Sequence, residues 1–94
     1  MKKAKLYWIS ETNGGRKKLP DTKVYYPTTI FCNDENMWSL VIEFDDSPFL
    51  LNNMVSECKV RFLVDHAPKY LLDTAREIPI YEGPNKVGQI KFYD

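Results

Sequence analysis

The sequence predicts an all-β domain, a small antiparallel barrel or sandwich, on three observations. Apolar side chains recur at every second position in several separate segments. Turn-forming residues punctuate the chain between those segments. Only Pro68 to Arg76 can support a helical turn, a stretch too short to lay a layer of helices on a sheet.

The elements follow in order. Ala4, Leu6 and Trp8 alternate with Lys5, Tyr7 and Ile9, so the first strand reads as apolar on much of both faces. Asn13-Gly14-Gly15 then predicts a sharp turn, read as a hairpin tip that presents Arg16, Lys17 and Lys18. Pro20 and Pro27 bracket an edge or crossover segment, because proline cannot donate to a ladder. Thr28 to Cys32 is β-branched and aromatic, as a strand favours. Trp38, Leu40, Ile42 and Phe44 alternate with Ser39, Val41 and Glu43. Asp45-Asp46-Ser47-Pro48 and Asn52-Asn53 read as turns. Cys58, Val60, Phe62, Val64 and His66 share one face of a long strand whose other face carries Glu57, Lys59, Arg61 and Asp65. Gly83-Pro84-Asn85 turns the chain into a last strand, where Gly88, Ile90 and Phe92 oppose Gln89 and Lys91.

A chain of 94 residues makes one domain, residues 1 to 94, and hides roughly 65% of its unfolded surface. That suffices for a core without disulfides or a metal. Both cysteines, Cys32 and Cys58, lie in apolar runs and are expected as buried free thiols. Met1 to Lys5 opens as an alternating stretch and not as an apolar block, and no apolar run is long enough for a bilayer. A cytoplasmic protein off the membrane is the expectation.

Formal charge is zero but unevenly placed. Residues 1 to 31 carry seven cations and two anions, whereas residues 32 to 57 carry six anions and no cation. Such a balance does not drive general nucleic-acid binding, although it can orient a partner on one side.

Residues for catalysis are sparse. The one histidine, His66, reads as a core or strand-end residue. Along one strand it would stand roughly 26 Å from Cys58, which excludes a Cys–His pair there. Zinc-ligand spacing and a phosphate-cradling glycine loop are both absent from the sequence. The expectation is no enzyme, no cofactor, no metal and no nucleotide.

Three stretches resemble one known family in order and spacing. "AKLYWISETNGGRKK" (Ala4 to Lys18) is similar to the opening of the third, C-terminal domain of translation elongation factor Tu, where a strand runs into an E-E-G-G-R-H hairpin. "YYPTTIFCND" (Tyr25 to Asp34) resembles that family's Y-R-P-Q-F-Y-F strand, and "IPIYEGPNKVGQI" (Ile78 to Ile90) its closing segment. The resemblance spans essentially the whole chain. It implies a small closed six-stranded antiparallel barrel, standing without the GTPase domain.

The family's barrel docks on protein and faces the backbone of aminoacyl-tRNA. By motif match, the RNA-facing positions are Arg16, Lys17, Thr28 and Glu82, and the adjoining Lys18 and Tyr81 complete the RNA- or partner-binding candidates. Two arginines of the family's face are Tyr26 and Tyr81 here, and Lys17 stands where the family has histidine. The resemblance therefore implies a non-catalytic module whose partner is a protein before it is RNA: a translation GTPase, a toxin or a second copy of the chain. Tyr7, Tyr25, Tyr26 and Tyr81 or the acidic 34 to 46 region are contacts for such a partner. The alternative is binding to a tRNA or rRNA backbone through Arg16 to Lys18.

Overall fold

The computed structural model, which describes residues 1–31 and 36–93, is all-β. Its strands are β1 (Lys2–Trp8), β2 (Val24–Tyr25), β3 (Thr28–Ile30), β4 (Met37–Phe44), β5 (Val55–Phe62), β6 (Glu77–Glu82) and β7 (Asn85–Phe92). Two short helices, α1 (Pro48–Leu51) and α2 (Lys69–Thr74), and one 3-10 turn (Glu11–Asn13) complete the described elements. The burial expected for Cys32 and the acidic residues Asp34 and Glu35 lie outside the described residues.

Antiparallel pairing runs β4-β3-β6-β7-β1-β5 and returns from β5 to β4, which closes a six-stranded barrel. Closure removes the edges an open six-stranded sheet would expose, and among the described strands only the two-residue β2 pairs on one side alone. β2 is an extra strand in the count, yet it continues β3 in one register against β4: Tyr25 faces Ile42 and Thr28 faces Ser39. Pro27 interrupts the ladder between them, and its carbonyl still accepts from the Leu40 amide at 2.9 Å. β3 and β6 share a single register pair, Thr28 with Tyr81. Side chains complete that seam, where Thr29 Oγ1 donates to the Pro79 carbonyl at 2.6 Å. Pro79 has no N–H to offer a ladder, so a buried hydroxyl does the joining.

Alternation fills the barrel. Ala4, Leu6 and Trp8 point inward from β1, Leu40, Ile42 and Phe44 from β4, Ser56, Cys58, Val60 and Phe62 from β5, and Ile78 and Ile80 from β6. β1 is cleaner than its sequence suggests, since Tyr7 is exposed opposite the buried Leu6 and Trp8. Val41, expected on the outer face, is buried beside Arg61 of β5. The β6–β7 turn places Gly83 at φ +57°, a conformation glycine adopts without strain. A bulge follows in β7: Ile80 faces Gly88 but Tyr81 faces Lys86, so Val87 is the additional residue. Its carbonyl accepts the Ile9 amide at 2.9 Å.

The two barrel ends are sealed differently. Trp8, Tyr25 and Phe44 close one, with ring centroids 5.6 to 6.2 Å apart. Phe31, Phe62, Trp38 and the buried Leu72 of α2 close the other. Lys2 holds α2 in place, its ammonium donating to the carbonyls of Leu72, Asp73 and Ala75 at 2.9 to 3.0 Å. A cation on the last carbonyls of a helix satisfies groups the helix itself leaves open.

Two expectations are corrected here. The strand through Cys58 does not continue to His66. It stops at Phe62, and His66 is exposed on a turn with its ring edge-on to Trp38. The Asn13-Gly14-Gly15 turn is not a hairpin tip either. It belongs to a long connection from β1 to β2, and β2 pairs with β4 instead of β1.

Cys58 is a buried thiol whose Sγ donates to the Ala4 carbonyl at 3.5 Å. Burial first, then the charges of Glu57 and Asp45, push it from an ordinary 9.0 up to about 12. The folded chain thus holds a proton that the unfolded chain releases. Stability from this group is full below pH 9 and falls as pH rises toward about 12, by at most about 1.4 kcal/mol per unit. Denaturant midpoints measured from pH 8 to 11 should fall, and the fall should be shallower for Cys58→Ala. Parallel slopes in the two proteins would remove Cys58 as the cause.

Candidate functional site

The end sealed by Trp8, Tyr25 and Phe44 gathers the residues singled out from the sequence. Glu82 stands at the tip of the β6–β7 hairpin, and Tyr81 beside it pairs across the seam with Thr28. The long connection after β1 folds back over this end. There Arg16 Nη1 and the Tyr25 hydroxyl both donate to Glu82 Oε2. Arg16 Nε donates to the Lys18 carbonyl at 2.8 Å, and its guanidinium lies 5.7 Å from the Tyr25 ring centre. Burial disfavours the Arg16 charge, but the Glu82 hydrogen bond and charge outweigh it and hold the pKa above the ordinary arginine value. Burial, then Glu82, likewise drives the Tyr25 phenol well above its usual range.

Arg16 is therefore not a free cation. It is half-buried and bonded inside the fold, where it locks the connection onto the barrel. Lys17 and Lys18, next along, are exposed. The structure thus brings Arg16 and Glu82 into direct contact, pairs Thr28 with Tyr81, and sets Lys17 and Lys18 on the adjoining rim.

What the sequence reading missed lies beside those lysines. Phe49, Leu50, Leu51 and Met54 are 45%, 78%, 56% and 43% exposed on the turn that joins β4 to β5. Pro48 starts α1 and is buried, and Asn52 ends it at φ +47°. The one-turn helix is held from beneath: the Phe49 amide donates to the Pro20 carbonyl at 2.9 Å, and the Ser47 hydroxyl to the same oxygen at 3.2 Å. The Lys18 ammonium sits 4.6 Å above the Phe49 ring centre, a cation–π contact. A groove of about 250 Å³ runs between the two segments, walled by Lys17, Lys18, Leu19, Phe49 and Met54.

The signal was present. Phe49-Leu50-Leu51 is an apolar run between two turn signals, too short for a buried strand, so it can only occupy a loop tip. Physically, this end offers an apolar knob with a cationic rim. Among the described residues no group of three or more histidine, cysteine or acidic side chains is placed to hold a metal ion. Among them, too, no helix is long and apolar enough to cross a membrane.

Compared with known protein families, curated proteins and solved structures, the chain matches none. A small closed barrel hosts many unrelated functions and does not identify a family by itself.

Proposed function

We propose that the protein is a non-catalytic binding module that docks on a protein partner through α1 and the Lys17–Lys18 rim. One observation carries this reading: four large apolar side chains are exposed together on one turn. Single-chain soluble proteins rarely expose contiguous apolar patches beyond a few hundred Å², and such patches mark interaction sites. Covering each of these side chains yields on the order of 1–2 kcal/mol, because each is already partly covered. Lys17 and Lys18 form no ion pair among the described residues, so a partner with carboxylates at its rim fits them. The resemblance to the elongation factor barrel makes a translation-associated protein the first partner class to try.

A phosphate backbone is the weaker fit. With Arg16 bonded to Glu82, two lysines remain for phosphates, and a salt slope of about 0.9 per contact gives little affinity. A catalytic reading has little to stand on: the Cys58 thiol is held protonated by burial, and His66 is exposed on the turn beyond the end of β5.

Capture from native lysate tests the proposal. The wild-type protein should retain a nuclease-resistant partner, and Leu50→Glu/Leu51→Glu should lose it at least tenfold while melting at the same temperature. Both side chains are exposed, so the fold does not depend on them. Capture that vanishes on nuclease treatment and follows Lys17→Ala/Lys18→Ala would establish the RNA reading in its place.

A further inference from the structure

The far side of the barrel carries a second concavity, independent of the docking surface. It is a cleft of about 540 Å³ between the start of β1, the end of β5 and α2, within the size range of small-molecule sites. Its accessible apolar lining is the exposed Met1 and the partly buried Val64, set over the buried Val60, Phe62 and Leu72. Charged groups stand at its rim: Lys2, Arg61 and Lys69 against Asp65 and Asp73.

We infer that this cleft binds a small amphipathic monoanion, an apolar body with a carboxylate head. The walls are fixed before any ligand arrives. Lys2 bonds three carbonyls at the end of α2 and lies 4.4 Å from the Phe92 ring centre, so the helix cannot drift from the strands. Its donors are all engaged, and what it contributes to the cleft is its charge.

Arg61 is the head-group ligand. Its Nη1 donates to the Phe62 carbonyl at 3.1 Å, which orients the guanidinium at the cleft mouth. The remaining N–H groups have no carboxylate partner among the described residues. A guanidinium presents paired donors that match a carboxylate, and one already tethered loses less freedom on binding. Lys69, on the first turn of α2, is likewise without an ion pair there and adds a third cation, on the helix wall.

Asp65 and Asp73 limit the head's charge. Three cations against two carboxylates leave one net positive charge, which a monoanion neutralises and a dianion overshoots at a greater desolvation cost. Met1 and Val64 supply affinity by covering the ligand's chain. An eight-carbon chain is short enough for the cleft, and a ligand of that size binds with a dissociation constant on the order of 0.1–1 mM.

The test is a titration of the full chain with sodium octanoate, followed by amide chemical shifts. The expected result is saturable shifts confined to residues 60–65 and 69–73, with Arg61→Gln weakening binding at least tenfold and leaving the other resonances in place. Octylammonium and octyl phosphate should each bind at least tenfold more weakly than octanoate. Lys69→Gln should weaken octanoate by a smaller factor, and it serves as the control should Arg61→Gln not fold. Failure to saturate, equal binding of octylammonium, or shifts centred on Phe49 to Met54 would each overturn the inference. The last of these would leave the docking reading intact.

Discussion

Trp8→Ala should lower stability by about 3–5 kcal/mol, the largest loss expected from a single side chain here. Trp8 is buried at the end of β1, where its ring lies 5.6 Å from Tyr25 and 6.1 Å from Phe44. Alanine leaves a cavity that closes only if β1 and β4 shift, and both are tied by ladders on both sides. The substitution also strands Ser56, a buried hydroxyl that now accepts from the indole Nε1 at 2.9 Å. A polar group buried without its partner costs about 1–3 kcal/mol by itself. Against a total of roughly 5–15 kcal/mol for a small domain, the loss leaves the barrel marginal. Trp8→Phe separates the two contributions: it keeps most of the ring, loses the hydrogen bond, and should cost about 1–2 kcal/mol. Denaturant unfolding of both variants measures this directly. A cost below 1 kcal/mol for Trp8→Ala would show that Tyr25 and Phe44 seal this end without it.

How much of this was legible beforehand depends on whether a feature is local. The inward faces of β4, β5 and β7 follow from alternation alone, because a half-buried strand has a period of two wherever it sits. The turn at Gly83-Pro84 is local as well, specified by its own glycine and proline. The end of β5 is not local. Alternation continues through Val64 and His66, but the neighbours run out: β1 begins opposite Val60, and the last bond to β4 joins the Leu63 amide to Ser39. A strand cannot outlast its partners. The same reasoning explains the misread turn at Asn13-Gly14-Gly15. Both edges of β1 are occupied, by β5 and by β7, so the chain after the glycines had no place to pair. Turn chemistry specifies a bend and says nothing of which strand fills the vacancy beyond it. Arg16 was read as free for the same cause, since its partner Glu82 is 66 residues away in sequence. The apolar turn at Phe49 to Met54 is legible only by its length, because a short apolar run otherwise reads as core.

Gly15→Ala is the second large effect, and it bears on the candidate surface. A Cβ at Gly15 would lie 1.8 Å from the Ile9 carbonyl oxygen and 2.5 Å from its carbon, with the Ser10 oxygen at 2.9 Å. All three are backbone atoms, so no side chain can rotate out of the way. Nor can the backbone yield easily: the Ile9 amide is held by Val87, and the Gly15 amide donates to Ser10 at 2.9 Å within the same turn. The turn must open, and with it goes the hold of Arg16 on Glu82 and Tyr25. We expect a cost of about 2–4 kcal/mol, at the upper end of forced overpacking because the clash is with backbone. Amide exchange should quicken over residues 9 to 18, and the loss of Lys18 from Phe49 should weaken capture of a partner. Gly14→Ala is the control, since Gly14 has φ +93° and open space around its Cα. Alanine there meets only a conformational penalty of about 1 kcal/mol. If Gly14→Ala proves the costlier of the two, backbone conformation and not close approach governs this turn, and the connection is held less tightly than its hydrogen bonds imply.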